Sequence, residues 1–350
     1  MQQDLIISGQ TIHPGTNLVI DLPLPPLYTH TPMTMPVHII HGRKPGARLF
    51  ISAAIHGDEL NGVEIIRRLL KDPALKRITG TLIAIPIVNV YGIIHRSRYL
   101  PDRRDLNRSF PGSKKGALAS RIADLFMTEI VANSTHGIDL HTGAIHRSNL
   151  PQIRANLDNE ATLSLAKAFN VPVLINANVR DGSLRESASE RGIPMLLYEA
   201  GEALRFDEIA IRAGVRGIIN VMRHLGMIAS RKKRSTSSNE PYIARYSAWI
   251  RSPGSGIFRT LKSLGCRVAK HELLGMVSDP VSSLEIEVIS PFSGIIIGRS
   301  EIPLVYEGEA VYHIARFEDS REVAEYLGNF HVDISPDIGD DANDDELAIV

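Results

Sequence analysis

The chain has 350 residues, 43% of them hydrophobic and 22% charged, and its 39 basic and 39 acidic side chains cancel. That composition excludes wholesale disorder and, at roughly 150 residues per domain, predicts about two domains with a substantial core. A neutral chain lacks the basic excess with which polyanion binders neutralise phosphates, so nucleic acid is not an expected partner.

The single cysteine, Cys266, has no partner for an internal disulfide and excludes cysteine-rich zinc sites. Any metal must therefore be held by His and carboxylates. The first residues lack the basic-then-apolar layout of a secretory signal. The apolar stretch 81–94 is interrupted by Pro86 and Asn89 and is too short to span a bilayer. A soluble protein of the reducing cytoplasm, without a membrane partner, is the expectation; self-association is left open.

Residues 1–48 are rich in Pro and Gly, and short extended pieces such as Val37-His38-Ile39-Ile40 predict an edge hairpin. Residues 49–55 form an apolar run of strand length, consistent with burial on both faces. Val63, Ile66, Leu69 and Leu70 then recur at helical spacing, and 82–90 reads as the next buried strand. Leu118, Ile122, Leu125 and Phe126 mark a further amphipathic helix, followed by short strands at 137–140, 173–175 and 195–198 with helical patterns between and after them. Alternating strands and helices predict an α/β domain over 1–235, built on a mostly parallel sheet flanked by helices. In such sheets the functional crevice lies beyond the carboxyl ends of the strands.

The pattern changes at 231–239, where Arg231-Lys232-Lys233-Arg234 and a Ser-rich stretch read as a solvated linker. Beyond it Leu284, Ile286 and Val288 alternate with Glu285 and Glu287, and Gly and Pro recur between short segments. This predicts a smaller all-β sandwich or barrel over 236–330. The last twenty residues carry seven acidic side chains and no Lys or Arg, which reads as an acidic tail over 331–350.

Four segments carry candidate chemistry. His56-Gly57-Asp58-Glu59 lies at the exit of the buried strand 49–55, where a His and a Glu three residues apart can face one ion. Asp139-Leu140-His141-Thr142-Gly143 offers a second His at another strand exit. Two His and one carboxylate, with a fourth position for water, are a common zinc set in hydrolases. The loop 98–112 concentrates four arginines, Arg98, Arg103, Arg104 and Arg108, beside Asn107, a supply of forks for a substrate carboxylate. Glu199 ends the apolar strand 195–198, where a carboxylate is costly unless solvated, paired or working as an acid–base group.

In this order the motifs His-Gly-Asp-Glu-x-Asn-Gly, Asp-Leu-Asn-Arg-x-Phe-Pro-Gly, Asp-Leu-His-Thr-Gly and Glu-Ala-Gly resemble the succinylglutamate desuccinylase/aspartoacylase family, relatives of the zinc carboxypeptidases, over roughly residues 30–225. The resemblance implies a zinc-carboxypeptidase-like fold and one zinc ion per chain on His56, Glu59 and His141. It also implies Glu199 as general base and then acid, and Asn107 and Arg108 as carboxylate-binding residues. An arginine would polarise the scissile carbonyl: Arg98 by its Arg-Tyr context, with Arg103 and Arg104 as alternatives because the spacing to Asn107 is longer than in aspartoacylase. Asp105 matches the position that orients a zinc-ligating His.

Residues 243–317 are similar to the barrel-sandwich modules of biotinyl and lipoyl carriers. However, no Lys lies between His271 and Ile297 to bear a cofactor, so shielding the active site or mediating assembly is the expected role. The functional expectation is a zinc-dependent amidohydrolase acting on a small N-acyl amino acid or related amide. A carboxypeptidase of peptides or peptidoglycan stems is the alternative enzyme, and a metal-dependent binding protein without turnover the alternative of another class.

Overall fold

The strand expected at 49–55 is apolar throughout because the sheet is covered on both sides. Leu49, Ile51 and Ala53 of β5 (Arg48–Ala53) join the hydrophobic cluster on one face, and Phe50 joins the cluster on the other. β6 (Thr81–Ile85) divides in the same way, Leu82 and Ala84 against Ile83 and Ile85. The computed structural model describes residues 2–177, 180–230, 241–318 and 320–335. The proposed linker at 231–239 and all but the first five residues of the acidic tail lie outside the described residues.

In chain order, β1 (Leu5–Ile7) and β2 (Gln10–Ile12) pair antiparallel as a separate ribbon. β3 (Asn17–Leu24) and β4 (Met33–His41) form a hairpin at one edge of the large sheet. After β5 come α1 (Asn61–Leu69), β6, α2 (Val90–Ile94), α3 (Leu118–Glu129), β7 (His136–Gly143), β8 (Arg147–Ala155), α4 (Glu160–Phe169) and β9 (Val173–Asn176). Then follow α5 (Leu184–Glu190), β10 (Met195–Glu202) and α6 (Glu208–His224). Helices α1, α4 and α6 pack on one face through Ile65, Ile66, Phe169, Ile218 and Val221, whereas α3 and α5 cover the other through Ile122, Phe126 and Leu184.

The middle of the sheet, β10-β7-β5-β6, is parallel, and antiparallel neighbours extend it on both sides: β8 beside β10, and β4 beside β6. This is the α/β architecture that the alternating pattern predicts, a mixed sheet with a parallel centre flanked by helices.

The C-terminal segment supplies β11 (Tyr242–Ala244), β12 (Tyr246–Arg251), β13 (Gly256–Thr260), β14 (Arg267–Val268), β15 (Leu273–Ser278), β16 (Glu285–Ile289), β17 (Gly294–Ser300), β18 (Leu304–Val305), β19 (Ala310–Arg316) and the helix α7 (Ser320–Ile334). Four of these strands make a small antiparallel sheet in the order β16-β15-β13-β18. The others join the large sheet: β17 pairs with β8 through Gly298–Asn149, Arg299–Ser148 and Ser300–Arg147, and β19 and β12 follow it outward. A mixed cluster seals the junction, with Leu150, Val173 and Ile175 against Ile295, Ile297 and Leu327. Helix α7 uses Val323, Leu327, Phe330 and Ile334, at helical spacing, and runs through the position where the sequence reading places the end of the β module.

Candidate metal centre and catalytic cavity

The carboxyl ends of β5, β7 and β10 lie side by side and carry the candidate residues. β5 ends at Ala53, and Ala54 adopts a left-handed conformation (φ +50°) that a non-glycine residue holds only when its surroundings fix it. The turn that follows delivers His56 and Glu59 to the head of the sheet. Gly57 is there for space: a Cβ would stand 2.1 Å from the carbonyl carbon of Gly92. Gly62 lets α1 settle on the sheet, since its Cβ would come within 2.8 Å of those of Ala53 and Leu140. Asn61 ties the turn to the end of β10, donating to the Ala200 carbonyl at 3.2 Å and accepting from the Asp207 amide at 3.1 Å. The His-Gly-Asp-Glu-x-Asn-Gly motif is thus a packing solution as well as a set of donors.

His56, Glu59 and His141 are all buried, and one potential ligand atom from each lies within 4.8 Å of the others. Both imidazoles turn Nδ1 towards the same carboxylate, His56 to Glu59 Oε1 at 2.7 Å and His141 to Oε2 at 2.8 Å. Their Nε2 atoms face outward to other carboxylates, His56 to Asp105 at 3.2 Å and His141 to Asp139 at 2.7 Å. Asp139 in turn accepts from the Ser52 hydroxyl at 2.7 Å. Carboxylates behind metal-ligating histidines keep the proton on the outer nitrogen when a metal takes the inner one.

Burial disfavours charge on both imidazoles. Against this, Glu59 and Asp105 hold His56 above the ordinary imidazole value, and Asp139 and Glu59 hold His141 well above it. Burial likewise disfavours a charged Glu59, yet the two histidines outweigh it and keep the carboxylate well below its usual range. Two imidazoles and one carboxylate, converging with room for a further ligand, fit a zinc ion of the catalytic type.

Around this cluster lies a cavity of about 250 Å³. Arg98 lines it and bridges to the cluster: Nη2 and Nε donate to Asp105 at 3.0 and 3.2 Å, and Nη1 lies 3.4 Å from Glu59. Arg103 and Arg104, the alternatives left open by the sequence, are exposed and do not line the cavity. Asn107 and Arg108 do line it, presented by a 3₁₀ turn, Leu106–Arg108, that Asp105 caps through the Asn107 amide at 2.8 Å. Asn107 Oδ1 also accepts from the Leu184 amide at the start of α5, at 2.9 Å, which locks the turn to that helix.

Glu199 stands at the last regular position of β10, before the register shifts, and such a bulge re-aims the side chain next to it. Its Oε2 accepts from Asn149 Nδ2 at 3.2 Å and faces Arg154 at 3.7 Å.

Other wall residues were not singled out by their sequence context. Arg147, Asn149 and Arg154 come from β8, Arg180 from the segment leading into α5, Arg185 from the first turn of α5, and Trp249 and His313 from the C-terminal strands. Among the described residues, six arginines line the cavity against the two carboxylates Glu59 and Glu199. Crowding shows in their titration. Burial and then neighbouring Arg154 push Arg185 down to about 10, and burial followed by Arg108 and Arg154 lowers Arg180.

Residues 45–225 match the catalytic domain of the succinylglutamate desuccinylase/aspartoacylase family. The chain is 27% identical over 308 residues to N-alpha-acetyl-L-2,4-diaminobutyric acid deacetylase of Halomonas elongata, covering 84% of this chain and 87% of that protein. The product-bound ectoine utilization protein EutE (DoeB) from Ruegeria pomeroyi has a similar fold. Its TM-score is 0.77 at 24% identity, over 85% of this chain and 94% of that one. A succinylglutamate desuccinylase from a Silicibacter species superposes with a TM-score of 0.78 at 22% identity, over 90% and 98% of the two chains. With the catalytic-domain match spanning more than half its length, and the motifs of that match gathered at one sheet end, the chain belongs to the succinylglutamate desuccinylase/aspartoacylase family.

Proposed function

We propose that the protein is a zinc-dependent deacylase that hydrolyses the amide bond of a small N-acyl amino acid. The observation that carries this reading is the convergence, in one cavity, of the His56–Glu59–His141 cluster with Glu199 and an excess of arginine. Zinc held by the three residues would supply a Lewis acid and allow water to lose a proton near neutral pH.

The chain's own groups do the rest. Glu199 takes the proton from the attacking water and returns it to the departing amine nitrogen, its carboxylate oriented by Asn149. Arg98, braced on Asp105, presents its guanidinium to the oxygen that gains charge as the carbonyl becomes tetrahedral. Asn107 and Arg108 hold the substrate carboxylate in the geometry that makes attack effectively intramolecular. Six arginines favour an anionic substrate, and the modest cavity favours a short acyl group such as acetyl. The Halomonas relative, by its name, removes acetyl from an N-acetylated diamino acid.

The test is a substrate screen with zinc-loaded protein, comparing N-acetyl and N-succinyl amino acids with blocked dipeptides. Amine release from the N-acyl amino acids is the expected result. A preference for dipeptides would assign a carboxypeptidase instead, and no turnover at saturating zinc would leave a metal-dependent binding protein.

A further inference from the structure

The catalytic cavity shares one wall with a second, outer cavity. Arg147 and Trp249 line both, and the outer space, about 490 Å³, is bounded further by Arg251, Tyr306, Glu307 and Glu309 of the C-terminal module. Trp249 is the only tryptophan in the chain. Its ring stacks on His313, with centroids 4.7 Å apart and planes 11° from parallel, and the Arg147 guanidinium carbon lies 5.1 Å from the centre of the indole.

All three residues are fixed by strand pairing: Trp249 with His313 between β12 and β19, and Arg147 with Ser300 between β8 and β17. His313 is buried, and its Nε2 lies 3.0 Å from the Ser247 hydroxyl, so the imidazole under the indole has little freedom. A wall built on paired strands holds its position better than one built on a loop.

We infer that the Arg147–Trp249 pair is the partition that sets the acyl-length limit of the enzyme, closing the catalytic cavity where the outer one begins. This rests on the deacylase reading above. In that reading the amine half of the substrate is held by Asn107 and Arg108, on the 3₁₀ turn locked to α5. We assign the acyl half to the wall made by β8 and the C-terminal strands, where Arg147 and Trp249 border the outer cavity. An acetyl group ends before the indole. A longer chain meets the indole and the guanidinium, whose backbones are held by strand pairing and whose side chains are stacked on His313 and on each other. Removing either side chain joins the two spaces and gives a longer chain a path outward.

The experiment compares zinc-loaded wild type, Trp249→Ala, Trp249→Phe and Arg147→Ala on one amino acid carrying acetyl, butyryl, hexanoyl or octanoyl groups, together with an N-acetyl dipeptide. The ratio of kcat/KM for hexanoyl over acetyl is expected to rise by about 10-fold or more in Trp249→Ala and in Arg147→Ala, and to stay near the wild-type ratio in Trp249→Phe, since each methylene a pocket must reject is worth roughly 10-fold or more. An unchanged ratio in both opened variants, or a gain confined to the dipeptide, overturns the assignment.

A second measurement needs no turnover. In zinc-loaded wild type, hexanoate should leave indole emission unchanged, while in Arg147→Ala, which keeps Trp249, the same concentration should shift it. A hexanoate shift of equal size in the wild type, or none in Arg147→Ala, overturns the partition. If no N-acyl amino acid is hydrolysed by the wild type, the deacylase reading fails on its own, and the emission measurement still decides the partition.

Discussion

Glu199 and His141 are direct neighbours across two parallel strands, paired residue to residue in the register of β10 and β7. Side chains of paired residues leave the sheet on the same face, so the acid–base candidate and a candidate metal ligand are set side by side by backbone hydrogen bonds. This geometry survives the loss of either side chain's chemistry, which makes Glu199→Gln a clean test. The variant should bind zinc as the wild type does and lose turnover by about 10²–10⁴-fold. Elemental analysis and steady-state kinetics on the same preparation check both halves.

Metal retention should depend on each of the three donors and, to a lesser degree, on the carboxylates behind them. His56→Ala and His141→Ala should lose most bound zinc, because three protein ligands leave no redundancy. Asp139→Asn and Asp105→Asn should weaken zinc affinity by roughly 10–100-fold, the usual effect of losing a carboxylate behind a ligating histidine. Competition with a chromophoric chelator measures both. Stoichiometric zinc in His141→Ala would remove that residue from the ligand set.

Arg108→Ala and Asn107→Ala should separate in a way their contacts dictate. Among the described residues, the Arg108 side chain donates its hydrogen bond to the Asn107 carbonyl of its own turn, so its loss should raise KM by about 10-fold with little change in melting temperature. Asn107 also anchors α5 through the Leu184 amide, so its loss should raise KM and lower the melting temperature as well. Kinetics paired with thermal denaturation distinguish the two.

His313 provides a pH signature of stability. Burial, followed by the charge of Arg154, pushes its imidazole down to about 3, against 6.5 for a free histidine. Between those values the unfolded chain binds a proton that the native state does not. This site therefore costs nothing above pH 6.5, and stability falls as the pH drops from there towards 3, by at most about 1.4 kcal/mol per unit. His313→Gln should lose less stability than the wild type between pH 7 and pH 5, by about 1–2 kcal/mol. Urea unfolding at the two pH values gives the difference, and parallel losses would refute it.

Gly57→Ala should destabilise the protein by about 1–3 kcal/mol, because the added methyl collides with backbone rather than with a side chain that can rotate away. Zinc affinity should fall with it, since the displaced turn carries His56. A melting curve with and without zinc tests this.

Most of the α/β core was legible because its signals are local. The apolar runs of β5 and β6, the helical spacing of α1 and α3, and the His and Glu residues at strand exits each lie within a dozen residues. β8 escaped for a physical reason. Its sequence, Arg-Ser-Asn-Leu-Pro-Gln-Ile-Arg-Ala, keeps Arg147, Asn149 and Arg154 for the cavity and so lacks the apolar face by which a strand is recognised. Asp139 was visible inside its motif, but its role needed the 2.7 Å contact to His141. Trp249 and His313 meet only through strand pairing far along the chain, and no local pattern records that meeting. The likeness of the C-terminal segment to a carrier module indicated short antiparallel strands, yet gave no sign that five of them would join the large sheet.

The pairing of Ser300 with Arg147 has a consequence for how the protein is made. The two residues are separated by about 150 positions, so the last strands of the sheet are laid down long after the residues of the metal cluster have been synthesised. A nascent chain that has reached α6 already contains His56, Glu59, His141 and Glu199, but the first half of β8 has no neighbour on its outer side and the indole wall does not yet exist. Closure of such distant pairings is slow relative to local helix formation, and an open strand edge invites association with other chains in the interval. Completion of the cavity wall is thereby coupled to the arrival of the last strands of the sheet.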